Sequence, residues 1–115
     1  MHDLTQQART ILTENERGGY IVPRPGLYPF QWNWDSCLVA LGLSTYDEPR
    51  AWQEIETLFS GQWKDGMVPH IIFHRESHSY CPGPDQWRAE APSGLKTSGI
   101  SNPPVAAFAV RKMFE

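Results

Sequence analysis

No stretch of this chain is apolar for long enough to span a bilayer, because the longest greasy run, CLVALGL from Cys37 to Leu43, falls far short of the roughly 20 residues a spanning helix needs. The opening MHDLTQQ also lacks the charged-then-apolar pattern of an export leader, so a soluble, cytoplasmic chain is expected. Positive charge is short: 10 Lys and Arg stand against 13 Asp and Glu, for a net charge of -3, and no basic stripe suits a phosphate backbone. Nucleic acid and membrane are therefore not expected partners. The two cysteines, Cys37 and Cys81, are too few for a disulfide framework and are read as reduced. Cys37 lies in the apolar run, where burial raises a thiol pKa and makes a poor nucleophile. A glycine-rich phosphate loop is missing, as is the HExxH glutamate. His70, His74 and His78 would line one face of a helix at i, i+4, i+8, but Pro69, Ile71 and Ile72 favour extended backbone there. The expectation is no metal site and no cofactor. With 115 residues the chain, 1–115, is long enough for one ordinary domain with a real core and no longer.

What the chain does have is aromatic density. YPFQWNWDS, Tyr28 to Ser36, packs Tyr28, Phe30, Trp32 and Trp34 into seven residues and places Asp35 just before the apolar run. Flat apolar rings with polar edges suit the C–H face of a sugar, while a carboxylate and an amide take its hydroxyls. The plainer reading is a half-buried extended segment, with Asp35 capping a helix that starts at Ser36. These residues alone leave both open, and they offer only one carboxylate in a site-like setting.

Around this stretch the periodicities are mostly helical. Leu4, Ala8, Ile11 and Leu12 share a helix face, with Asp3 as cap and Gly18-Gly19 as the stop. IVPRPG then leads in as extended chain. The run after Asp35 is apolar all round and predicts a helix buried on every face. A tight turn at Leu43 to Tyr46 leads to a second helix capped by Asp47, with Pro49 in its first turn and Trp52, Ile55, Leu58 and Phe59 on one side, completing an αα-hairpin. MVPHIIF predicts a short extended run, and His74 to Ser101 a long loop of the kind that is functional or disordered. A last helix is expected with Asn102 as cap and Pro103-Pro104 in its first turn, mostly apolar to Glu115 and in need of neighbours on nearly all sides. That need suggests an N-terminal piece of something longer.

In this order PGLYPFQWNWDS, DGMVPHIIF and TSGISNPP resemble the N-terminal part of the catalytic domain of glycoside hydrolase family 63. They are close to its bacterial mannosylglycerate and glucosylglycerate hydrolases and more distantly similar to trehalases. The resemblance covers nearly everything from Tyr20 to Glu115. It implies an all-α fold, an (α/α)6 barrel incomplete in this chain, with long loops building a sugar pocket at one end. By the same resemblance Trp34 and Asp35 match residues that hold the glycosyl unit, and Tyr28, Phe30, Gln31 and Trp32 match residues that help line the pocket. His70 matches an amide that faces the sugar in trehalases, and Asn102 falls where the relatives usually have glutamine. The family's inverting chemistry, an aspartic acid as general acid and a glutamate as general base, comes from segments later than any in this sequence. The implied function is thus the glycosyl-binding wall of an inverting α-glycosidase, with no catalytic residue here. Its partners are a small sugar or glycoside and either the remainder of the barrel or another copy joined through exposed apolar helices. The alternative is a free-standing, non-catalytic sugar-binding or interaction module.

Overall fold

The computed structural model describes residues 3–115. Helix α1 spans Leu4–Glu14, and the Asp3 carboxylate accepts from the backbone N–H groups of Thr5 and Gln6, as its spacing predicts. It stops at Asn15, short of the two glycines, because the Glu16 carboxylate turns back to accept from the N–H groups of Gly18 and Gly19. Extended chain then leads into strand β1, Gln31–Trp32, which passes without a loop into helix α2, Asn33–Leu43. The predicted tight turn follows, and helix α3 spans Glu48–Phe59 with Asp47 accepting from the Arg50 N–H. The antiparallel packing of α2 and α3 is the expected αα-hairpin.

An all-α chain is not what forms. Strand β2, Ile71–Phe73, pairs with β1 and with β4, Lys96–Thr97, and β4 pairs with β3, Ala89–Glu90, giving a small antiparallel sheet in the order β1-β2-β4-β3. Two of these strands and the short helix α4, Pro84–Trp87, lie inside the predicted long loop. Elements of two to four residues are too short to show a hydrophobic period, so the polar composition masks them.

Strand β2 ties two cores together. Ile72 points among Cys37, Ala40, Leu43, Ile55 and Leu58 of the helical hairpin, while Ile71 and Phe73 on the other face pack with Phe30 and Trp32. Helix α5, Ala106–Phe114, lies on α2 through Ala109. It begins three residues later than expected: Pro103 is held out of helical backbone by the proline that follows it, and Asn102 caps something else. Burial of α2 is also one-sided, since Leu38 is 57% exposed and Trp34 46%. Leu4 and Ile11 of α1 and Phe108 and Phe114 of α5 are likewise exposed.

Candidate sugar-binding wall

The wall is built on the corner where β1 becomes α2. A helix leaves its first N–H groups unpaired, and here no side chain of the corner itself supplies the cap. Asp35 was the expected cap, but the helix starts at Asn33, which places Asp35 within the first turn rather than before it. The open donors are met from elsewhere: Asn33 N–H donates to the His70 carbonyl at 2.9 Å, and Trp34 N–H donates to Asn102 Oδ1 at 3.3 Å. Asn102 is therefore a cap for α2 across 68 positions of chain, not for the helix that follows it. With that duty removed, the Asp35 carboxyl has no partner side chain among the described residues. Burial raises its pKa, its own backbone N–H opposes the rise, and the positive end of α2 lies beside it.

The eight residues singled out by sequence separate into two layers. Trp34 and Tyr28 present exposed rings, and Asp35, His70 and Asn102 are half-buried, so these five can meet a ligand. Trp32 is nearly buried, with its ring between the edges of Tyr28 at 5.4 Å and Tyr80 at 4.9 Å. Phe30 and Gln31 have no exposed surface. Phe30 packs into the aromatic core edge-on to Phe73, with ring centres 4.8 Å apart. Gln31 points the other way, donating to the Glu54 carbonyl at 3.2 Å and accepting from His74 Nε2 at 2.7 Å.

His70 is braced by Ser98 Oγ, 2.5 Å from its Nδ1, and by Trp87, whose ring meets its own edge-on at 5.7 Å. Burial lowers its pKa, against the pull of the Ile100 backbone carbonyl on the ring, so the neutral imidazole is favoured. The strand between His70 and His74 gives the two rings separate partners, and His78 is exposed on the following loop. Among the described residues no three His, Cys, Asp or Glu side chains gather as a metal site would need.

Four contributors escaped sequence reasoning. Tyr80 and Trp87 were visible as aromatics in an otherwise polar loop. Ser98 carried no signal. Glu54 did carry one, as a charge at helical spacing with Ala51, Ile55 and Leu58 on the buried face of α3. A cavity of about 530 Å³ is lined by residues 73–86 and Lys96; it includes Tyr80 but neither Trp34 nor Asp35. Rings, a carboxyl, a neutral imidazole and an amide can bind and orient a sugar.

The fold, though not the wall, has counterparts among known proteins, and they are glycoside hydrolases. The family model described as mannosylglycerate hydrolase MGH1-like glycoside hydrolase domain matches residues 28–115, and the chain belongs to that family. It is 54% identical over 110 residues to mannosylglycerate hydrolase MGH1 of Selaginella moellendorffii, covering 96% of this chain and 22% of that one. The crystal structure of the family 63 mannosylglycerate hydrolase of Thermus thermophilus with Tris and D-glycerate superposes with a TM-score of 0.90 at 50% identity, covering 97% of this chain and 26% of that one. The glucose complex of the same enzyme superposes with a TM-score of 0.79 at 49% identity, covering 98% and 27%. The chain thus spans about a quarter of the length of the curated relatives it matches.

Proposed function

We propose that this chain is the N-terminal segment of an inverting α-glycosidase acting on glycosylglycerates or related α-glucosides, and that it supplies the glycosyl-binding wall while the acid and base come from later in the polypeptide. The observation that carries the proposal is the pairing of an exposed Trp34 ring with the Asp35 carboxyl, which no side chain among the described residues engages, in the first turn of α2. A ring covers the C–H face of a pyranose, and a carboxylate takes two adjacent hydroxyls through charge-assisted bonds. Neutral His70 can donate or accept at its free nitrogen. Relatives crystallised with glucose and with D-glycerate support a ligand made of both halves.

The exposed faces of α1, α2 and α5 fit the same proposal, because the remaining hairpins of an (α/α)6 toroid would cover them. Inversion needs an acid and a base held far enough apart for a water between them. Asp35 can fill at most one of these roles, and Glu54 is buried behind the corner, out of reach of a ligand. The chain by itself is therefore expected to leave mannosylglycerate and glucosylglycerate intact, and the polypeptide encoded by the reading frame continued past Glu115 to hydrolyse one of them with inversion. Turnover by the purified 115-residue chain would contradict the proposal. A stop codon directly after Glu115, with a monomeric, cooperatively folded product, would favour the free-standing binding module instead.

A further inference from the structure

A buried carboxyl must be paired or hydrogen-bonded to be tolerated, so what it bonds to shows what it holds. Glu54 of α3 is 2% exposed. Its Oε1 accepts from Ser36 Oγ at 2.6 Å and, more weakly, from Gln31 Nε2 at 3.5 Å. Its backbone carbonyl accepts from the same Gln31 amide at 3.2 Å, and its Oε2 accepts from the Ile21 N–H at 3.0 Å. Gln31 and Ser36 are the two residues that bracket Trp32, Asn33, Trp34 and Asp35. The corner between them changes from extended to helical backbone with no capping side chain of its own. Gln31 is held a second time by His74 Nε2 at 2.7 Å, and the His74 ring stacks on Tyr20 at 4.1 Å.

We infer that Glu54 is a positioning residue: one side chain from α3 staples both ends of the corner and so sets the directions of the Trp34 ring and the Asp35 carboxyl. The inference rests on the proposed sugar wall for its consequence, but the staple itself is a property of the fold. A polar plug that served only general stability would have no reason to take both of its side-chain partners from the two ends of the quartet that carries Trp34 and Asp35.

Two variants separate these possibilities. Glu54→Leu keeps the volume and removes every side-chain grip, whereas Glu54→Gln can still accept from Ile21 N–H and donate to Ser36 Oγ. Backbone hydrogen exchange on the folded chain reads the corner locally. For Glu54→Leu the amides of residues 32–37 are expected to exchange at least about tenfold faster relative to those of the last turns of α3, and for Glu54→Gln within about threefold of wild type. Glucose titration followed by tryptophan fluorescence should show binding weakened about tenfold by Glu54→Leu and largely restored in Glu54→Gln. Uniform acceleration along the chain, or none at the corner, overturns the inference. A corner loosened selectively in a chain whose wild type binds no glucose upholds the staple and counts against the sugar wall. Where Glu54→Leu fails to fold, Ser36→Ala removes the shortest grip alone and is read by the same two measurements.

Discussion

Glu54 and His74 sit two hydrogen bonds apart with displaced pKa values of opposite consequence, and the stability of the chain should carry the mark of both. Burial pushes the Glu54 carboxyl up to about 7 from 4.5, against the donors Ser36, Ile21 and Gln31 and the nearby charge of Arg50. Between those limits the folded chain keeps a proton that the unfolded chain has released, so stability falls as pH rises from 4.5 to 7. At about 1.4 kcal/mol per pH unit the interval is worth on the order of 3 kcal/mol. Burial pushes His74 down to about 4 from 6.5, so there the unfolded chain binds the proton and stability falls as pH drops from 6.5 to 4. That effect has the same order of size, reduced by whatever solvent reaches the half-buried ring. From pH 4.5 to 6.5 the two slopes oppose each other and cancel. Removing either group exposes the other. Urea unfolding of wild type, Glu54→Gln and His74→Gln at pH 4.5, 5.5 and 6.5 is the assay, with wild type subtracted to remove the carboxylates common to all. Relative to wild type, Glu54→Gln should gain stability with rising pH and His74→Gln should lose it, each by about 2–3 kcal/mol across the range. Differences that do not vary with pH would refute the assignment of these displaced values to this pair.

Other expectations follow from local geometry. Gly61 has no room for a side chain, since a Cβ there would lie 2.6 Å from Ile72 Cδ1 in the packed core, and Gly61→Ala should cost about 1–3 kcal/mol in chemical denaturation. Asp47→Ala should cost about 1 kcal/mol through loss of the α3 cap, while Asp35→Asn, which breaks no cap bond, should cost no more than that even with its charge removed from the helix end. Asn102→Ala frees the Trp34 N–H at the start of α2 and should destabilise the chain by about 1 kcal/mol, with faster amide exchange at Trp34 as its local signature.

What was legible in the sequence is what the sequence settles locally. Asp3 and Asp47 bond to N–H groups two or three positions on, and Pro49 needs only its own fixed backbone, so both caps and the hairpin could be read directly. The start of α2 could not, because its donors are met by the His70 carbonyl and by Asn102, neither near in sequence. Asn102 before two prolines imitates a helix start closely enough to mislead, yet its amide oxygen accepts from the Trp34 N–H instead. Among the site residues, the aromatic alternation of Tyr28 to Trp34 leaves a sugar platform and a half-buried extended segment both open. The strand pleat and the turn into helix instead send Phe30 and Gln31 inward and Trp34 outward. Strands β3 and β4 found no foothold in pattern at all, since two residues cannot establish a period.

The most direct test of the sugar wall is the turnover of mannosylglycerate and glucosylglycerate by the polypeptide that continues this segment, with Asp35 as the only change. Asp35→Asn keeps the shape of the side chain and removes its charge. Its kcat/KM should fall by roughly 10- to 150-fold, the equivalent of about 1.5–3 kcal/mol for hydrogen bonds to a charged group, with the melting temperature held within a few degrees. Unchanged turnover in a folded Asp35→Asn protein would contradict the account, because the wall would then have lost the one carboxyl that gives its aromatic surface a grip on hydroxyls.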